Sequence, residues 1–394
     1  MSSSRLSGRA YAPSYGPPFG LSDAEAEQSN VWIVRDGTAM RITPYTDPTC
    51  TSPPCSDQAL NPILSPDGTL VAFADEDPDD FAFSLYVIPA DGSATYPLSP
   101  TFRIYDEPDG WWLFCPSWHP DGNKLLFTNQ NFGPNPGTLG GKIQEVTYPG
   151  GVATDLWIPQ TQSPTQREEA FRPVYSPDGT KISFLVNLEA GGGGDYTRQG
   201  LWVMDADGSN DQQIDGWVTA LDTDSGYLFG GSQTAWSNDS EWIAYIDRGF
   251  GGGPATSGTF SLWKIRPDGT DKTMLADGDA GGGLFVPNHV AWGAWLDDDS
   301  GVIFTRDESG WGIRLAAADG SGHTEIIPYG DGPPEAEYFD NAYRLRDRIY
   351  WHSVVAFDGA EIKSCALDGS DVQVYSAGIP PGSMFFNGDG FEYP

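Results

Sequence analysis

The chain has 394 residues, of which 39% are apolar and 13% aromatic, enough for a folded core and too many for a disordered polyanion. Its 55 acidic and 21 basic residues give a formal charge of −34, which argues against nucleic acid and anionic membrane as partners, because both require clustered Lys and Arg. The 49 Gly and 32 Pro lie between short apolar runs, which leaves little room for long helices and fits a many-turned β protein.

Residues 1–29 lack the apolar stretch of about 7 to 15 residues that a secretory leader needs, so they read as a polar, flexible arm. No run of about 18 apolar residues follows, which excludes a membrane-spanning helix. The expected setting is a virion, or the extracellular space or cell envelope for a form whose leader has been removed.

From residue 30 onward two phrases alternate. NVWIVRDGTAMRIT at 30–43 is a strand, an Asp-Gly turn and a second strand, a β-hairpin with Gly where positive φ is needed. Cys50 and Cys55 then flank TSPP, a loop short enough to close as a disulfide in an oxidising compartment. SPDGTLVAF at 65–73 introduces the other hairpin, in which an apolar strand enters a Ser-Pro-Asp-Gly turn and an alternating strand leaves it. It runs into DEDPDD at 75–80, where Asp75, Asp77, Asp79 and Asp80 offer oxygen ligands for calcium without EF-hand spacing; a solvated acidic loop is the plainer reading.

SLYVIPADGSATYPLS at 84–99 returns to the Asp-Gly phrase. DGWWLF at 109–114 sets Trp111 and Trp112 side by side, so one faces away from the other and offers a stacking platform for carbohydrate or protein; burial of both under loops is the competing reading. HPDGNKLLF at 119–127, KIQEVTYPGGVATDLW at 142–157, SPDGTKISFLVN at 176–187 and GLWVMDADGSNDQQI at 200–214 continue the alternation. Weaker copies of the first hairpin follow at 237–245, 297–305 and 345–351, and good copies of the second at 261–275, 313–327 and 361–375. Gly-rich stretches at 190–195, 249–258 and 279–285 lack the strand-to-helix context of a phosphate-binding loop and read as binding loops gathered on one face. Cys115 and Cys365 fall in apolar strand patterns as buried thiols, and the absence of a Cys-x-x-Cys pair argues against structural zinc.

Two hairpins make a four-stranded antiparallel sheet, and a unit of about 50 to 60 residues holding one such sheet is a propeller blade. The first hairpin has six clear copies and the second seven, with the unpaired copy at 30–43, so GSMFFNGDGFEYP at 382–394 is expected to supply the missing half. The prediction is an all-β, seven-bladed β-propeller over residues 30–394, its last blade closed by two strands from each chain end so that no edge is left exposed.

SPDGTLVAF, SPDGTKISF and LWVMDADGS resemble the TolB-like (WD40-like, PD40) propeller repeats, a likeness that covers about residues 30–393. It implies an interaction platform, or a lid on a hydrolase domain that this chain lacks, and says little about function by itself. No Gly-x-Ser-x-Gly elbow is present, which argues against a peptidase. Aligning the blades on their turn Ser and reading four positions upstream gives Asn61, Cys115, Arg172, Gln233, Trp292, Asn341 and Ser383, a polar ring at the channel without His or carboxylate.

The expected function is a non-catalytic scaffold that binds a protein or glycan through loops on one face, as a structural or surface component of a larger assembly. Its binding residues are Asn61, Arg172, Gln233, Trp292 and Asn341 of the ring, with Trp111 and Trp112. The alternative is a metal-dependent polysaccharide lyase or hydrolase with Arg172, His289 and Asp340 at the channel mouth. Oligogalacturonate lyases of this family hold manganese with several His and a Gln. Here only His289 is well placed, whereas His119 and His323 are expected on solvent-facing rims and His352 ends a strand. No cofactor is required by this reading, calcium being the one candidate.

Overall fold

The computed structural model describes residues 9–13, 32–35, 38–42, 58–77, 82–94, 103–106, 112–130, 141–159, 162–163, 166–190, 196–216, 234–248, 260–277, 294–307, 311–328, 337–345, 347–355, 359–374 and 385–386. It is an all-β propeller of small antiparallel blades, and no helix occurs among the described residues. The chain begins with β1 (Arg9–Pro13), β2 (Trp32–Arg35) and β3 (Thr38–Arg41). The first blade then pairs β4 (Gln58–Leu64), β5 (Leu70–Asp77), β6 (Ala82–Pro89) and β7 (Arg103–Asp106) in chain order. The second holds β8 (Trp112–Trp118), β9 (Lys124–Gln130), β10 (Lys142–Thr147) and β11 (Thr154–Trp157).

In the third, β12 (Gln162–Ser163) precedes β13 (Gln166–Tyr175), β14 (Lys181–Ala190), β15 (Tyr196–Asp205) and β16 (Gln212–Gly216). The fourth contains β17 (Ala235–Trp236), β18 (Ile243–Arg248), β19 (Phe260–Ile265) and β20 (Thr273–Ala276). The fifth has β21 (Gly301–Asp307), β22 (Trp311–Ala317) and β23 (His323–Ile327), its inner strand reduced to the bridge Trp295↔Val302. The sixth has β24 (Glu337–Leu345), β25 (Arg348–Val355), β26 (Gly359–Ala366) and β27 (Gln373–Val374).

Residues 58–374 thus build six blades where the repeat count predicts seven, because the remaining sheet draws on both chain ends. β28 (Phe385–Phe386) pairs with β1, and the sheet runs β28-β1-β2-β3. It takes three strands from the N-terminal side and one from the C-terminal side, not two from each: Arg9–Pro13, in the stretch expected to be an arm, forms a strand between Trp32–Arg35 and Phe385–Phe386. Ile42, just beyond β3, packs into the first blade against Leu64, Val71 and Phe73.

Two turn chemistries repeat from blade to blade. In the inner hairpin the Ser65, Ser176 and Ser237 hydroxyls each donate to the Asp two residues on at 2.6 Å and accept the amide of Leu70, Lys181 or Trp242 at 2.9–3.0 Å. Where the weaker copies lack the turn Gly, Ser240 (φ 61°) and Asp299 (φ 54°) occupy the left-handed position. There they reach the preceding blade: Ser240 Oγ accepts the Asp178 amide at 3.1 Å, and Asp299 accepts the Asn238 and Asp239 amides at 2.8 and 3.1 Å.

In the outer hairpin the Asp carboxylate accepts the amide of the Ser or Thr two residues on, as Asp207 does from Ser209 at 2.9 Å and Asp268 from Thr270 at 2.9 Å. Two residues after the turn Gly, Asn210, Asp271 and Asp371 are also left-handed, at φ 55°, 57° and 54°. Asn and Asp tolerate that conformation best among residues with a side chain, a second requirement that the repeated phrase carries.

The turn Gly is fixed twice over. Gly208 sits at φ 85°, and a Cβ there would lie 2.6 Å from the Leu156 carbonyl oxygen on the preceding blade; Gly369 stands in the same relation to Ile326. Gly150, also left-handed, has open space around it. Gly150→Ala should therefore cost about 1 kcal/mol, the conformational penalty alone. Gly208→Ala or Gly369→Ala should cost about 3 kcal/mol, because a backbone carbonyl must move as well. Urea melts of the three variants check this, and equal losses would show that the blades do not press on the turn.

Hydrogen bonds from Ser209, Thr270, Ser321 and Ser370 hold the carboxyls of Asp207, Asp268, Asp319 and Asp368 below their ordinary value of 3.8. At Asp178 burial pushes upward, but the Ser176 and Thr180 hydrogen bonds outweigh it and lower the value. A depressed folded value means that the unfolded chain takes up protons first as pH falls. This contribution is complete above about pH 4 and is lost as pH drops through the folded values. The urea midpoint should be lower at pH 3 than at pH 6; an unchanged midpoint would remove the turn carboxylates from the account of stability.

Candidate functional site

The ring read from the sequence coincides with a backbone irregularity. In each of four inner strands the ladder to the next strand skips two residues: between Leu60 and Ile63 in β4, Phe114 and Ser117 in β8, Phe171 and Val174 in β13, and Asp340 and Tyr343 in β24. The skipped pairs are Asn61-Pro62, Cys115-Pro116, Arg172-Pro173 and Asn341-Ala342. Proline has no amide hydrogen to give a ladder, so three of the four sequences place it where the ladder is already broken. Such bulges bend a strand and re-aim the side chain they carry. Arg172 is left-handed at φ 51° and only 3% exposed. Glu169, three residues earlier on β13, is buried as well.

The residues of the catalytic alternative come from separate parts of the chain. Arg172 lies on β13 of the third blade and Asp340 on β24 of the sixth, where it stands opposite His352 in the ladder, while His289 is outside the described residues. Gln233, Trp292, Ser383 and Trp111 are likewise outside them, and Trp112 is the first residue of β8. Of the acidic run, Asp75 and Asp77 belong to strand β5, opposite Ser84 and Ala82, and Asp79 and Asp80 lie outside the described residues. Among the described residues no three His, Cys, Asp or Glu gather as metal ligands would.

Two histidines expected on open rims are packed. His119 replaces the turn Ser, accepts the Asp121 amide on Nδ1 at 3.1 Å, and lies edge-on to Tyr175 of the next blade with ring centroids 4.8 Å apart. His323 stands edge-on to Phe304 at 5.8 Å, with its Nδ1 3.3 Å from Arg314 Nη1. Gly179 of the next blade leaves room for the His119 ring, since a Cβ there would lie 2.7 Å from Nε2.

The boundaries between blades carry polar bonds that the repeat pattern does not announce. Trp118, Trp236 and Trp295 each donate an indole N–H to the preceding blade, to Ile63 O at 3.3 Å, Ser183 Oγ at 2.9 Å and Ala235 O at 2.9 Å. Tyr175 and Tyr245 donate their hydroxyls to Glu145 and Asp215 of the blade before, and Lys272 pairs with the same Asp215 at 2.7 Å. On the fourth blade the Trp242 ring receives Lys264 Nζ at 3.6 Å and the Arg266 guanidinium at 4.4 Å. Burial, with the neighbouring Arg266 adding to it, lowers the Lys264 amine from its ordinary value.

Cys365 is a buried free thiol, which burial pushes up to about 11. It should resist a maleimide at pH 8 in the folded protein and react in urea, followed by peptide mass spectrometry. Fast labelling of the native chain would show an open sixth blade.

No family model matches the chain. Over 107 residues it is 32% identical to the Tol-Pal system protein TolB of Anaeromyxobacter dehalogenans (strain 2CP-C), a match covering 26% of this chain and 19% of that protein. TolB of strain 2CP-1 / ATCC BAA-258 of the same organism matches at 30% over the same shares. The chain therefore spans about a fifth of the curated relatives it matches. Among solved structures, puromycin hydrolase S511A complexed with PGG superposes with a TM-score of 0.59 at 13% identity, over 94% of this chain and 52% of that one. Oligogalacturonate lyase in complex with manganese gives 0.53 at 13% identity, over 83% and 80%. These distant likenesses bear on the fold alone, and with the repeated Asp-Gly phrases and the sequence match they make the chain a TolB-like β-propeller.

Proposed function

We propose that this propeller is an interaction scaffold that holds a protein partner on the face opposite its tight turns, with the composite sheet serving as a seventh blade that closes the ring. The observation that carries this reading is the split between the two ends of each blade. Because the strands are antiparallel, the Ser-Pro-Asp-Gly and Asp-Gly-Ser/Thr turns all fall at one end. That end is occupied by turn-to-turn and turn-to-strand contacts. At the other end, where blades are joined and second strands pass to third, lie the strand ends that flank the sequence segments 131–140, 191–195, 217–233, 249–259 and 278–293.

Those segments contain no Lys or Arg and include Asp195, Asp222, Asp224 and Asp279. A protein presenting Lys and Arg is the complementary partner, and long-range attraction would speed its approach in a salt-dependent way. Packing of Ile42 into the first blade and pairing of β1 with both chain ends support the closure.

Zero-length carbodiimide cross-linking in the native source, read by mass spectrometry, tests the proposal. Links from Asp195, Asp222, Asp224 or Asp279 to lysines of one dominant neighbour are expected, and fewer of them as salt is raised. Links confined to the turn carboxylates, such as Asp207 or Asp268, would place the partner on the other face and overturn it.

A further inference from the structure

The inner tight turns share one backbone and differ in how the Asp carboxyl is held. Gly68, Gly122 and Gly179 are all at φ 70°, and each donates its amide at 2.8 Å to the carbonyl three residues back, on Ser65, His119 or Ser176. In the first and third blades the Asp67 and Asp178 carboxylates accept the Thr69 and Thr180 amides at 3.0 Å and the Ser65 and Ser176 hydroxyls at 2.6 Å. The outer turns hold their Asp in the same way, Asp207 by the Ser209 amide and Asp319 by the Ser321 amide at 2.9 and 2.8 Å. In the second blade the phrase reads His-Pro-Asp-Gly-Asn, and both hydroxyl residues are gone. His119 Nδ1 accepts the Asp121 amide at 3.1 Å, so it brings no proton to the carboxylate 3.7 Å away. Among the described residues nothing donates a hydrogen bond to the Asp121 carboxylate, and the side chain is 74% exposed.

That difference bears on a reaction open to any Asp-Gly pair, because Gly has no side chain to hinder attack by its own nitrogen on the carboxyl before it. The Gly nitrogen bonds to Cγ of the Asp, and its proton departs with the hydroxyl of the neutral carboxyl as water, closing a succinimide ring. Water then adds to the carbonyl on Cα and breaks its bond to nitrogen, so that the chain continues through the side-chain carbonyl as isoaspartate. One water leaves, one returns, and no oxidant or cofactor is consumed. A carboxylate gripped by an amide and a hydroxyl is kept from turning onto the following nitrogen. Burial pushes Asp67 and Asp178 upward, but the same hydrogen bonds outweigh it and hold both below the ordinary 3.8, which leaves little of the neutral acid that must lose water.

We propose that Asp121-Gly122 is a backbone modification site, the pair among the described tight turns that converts to isoaspartate in the folded protein. The turn has to open locally to free the Gly122 amide from His119 O, and an exposed hairpin tip does so at small cost. Conversion adds one carbon to the backbone beside the first blade, since a Cβ on Gly122 would stand 3.8 Å from Pro66 Cδ.

The test ages the full chain at neutral pH, digests it, and reads each Asp-Gly peptide by electron-transfer fragmentation, which separates isoaspartate from aspartate at equal mass. Isoaspartate at Asp121 should build up at least about tenfold faster than at Asp67, Asp178 or Asp207. In urea the four should convert at similar rates, because the restraints are lost with the fold. His119→Ser with Asn123→Thr, which rebuilds Ser-Pro-Asp-Gly-Thr, should slow Asp121 to the rate of Asp67. Ser176→Ala with Thr180→Val, which strips the hydroxyls from Asp178, should speed conversion there and serves if the first variant does not fold. The proposal is overturned if Asp121 converts no faster than Asp67 in the native chain, if its advantage persists undiminished in urea, or if the rebuilt turn converts as the parent does.

Discussion

The contact on which the architecture depends is the Asp-Gly turn of one blade pressed against the outer-strand backbone of the blade before it. The Asp side chain closes the turn by accepting the amide two residues on, and the Gly allows both the left-handed backbone and the close approach. Gly208, Gly320 and Gly369 all face a preceding-blade carbonyl in this way. A turn that satisfies two geometric demands with one residue tolerates few alternatives, which is why the phrase recurs nearly unchanged along the chain.

Around that contact the blades are joined by a small number of directed polar bonds laid over a continuous apolar core. Ile63, Trp118, Phe127, Val174, Trp236 and Tyr245 belong to one buried cluster that crosses the first four blades. The indole N–H groups of Trp118, Trp236 and Trp295 would be costly to bury unpaired, and each finds an acceptor one blade back. The sparse basic residues are used in the same economy. Lys124, Lys142, Lys181 and Lys272 each face a carboxylate within 3.3 Å, whereas Lys264 lies over the Trp242 ring. These lysines are thus committed to the sheets.

Much of this was legible along the chain, because turn chemistry is local. The hairpins at 65–73, 176–187, 200–214 and 261–275 stand where their phrases stand, and the ring four residues before the turn Ser falls on real bulges at Asn61, Cys115, Arg172 and Asn341. What escaped was contact between distant segments. His119 reads as a rim residue until Gly179 of the next blade is seen to make room for its ring. Asp75 and Asp77 read as part of an acidic loop, but pairing with Ala82 and Ser84 extends the strand through both. Residues 9–13 carry too weak a pattern to announce a strand, and they form one between partners that lie about 20 and 370 residues away in the chain.

By itself the sequence determined the all-β class, the positions of the turns and the repeat of two hairpins per blade, because each rests on a few adjacent residues whose backbone preferences are strong. Only the tertiary structure decided which strands the two ends contribute to their shared sheet, which indoles and hydroxyls bridge neighbouring blades, and that Arg172 is buried in a left-handed bulge. Those features depend on segments brought together from opposite parts of the chain, and no local preference of Arg172, Trp236 or Ala12 encodes the neighbour that each meets.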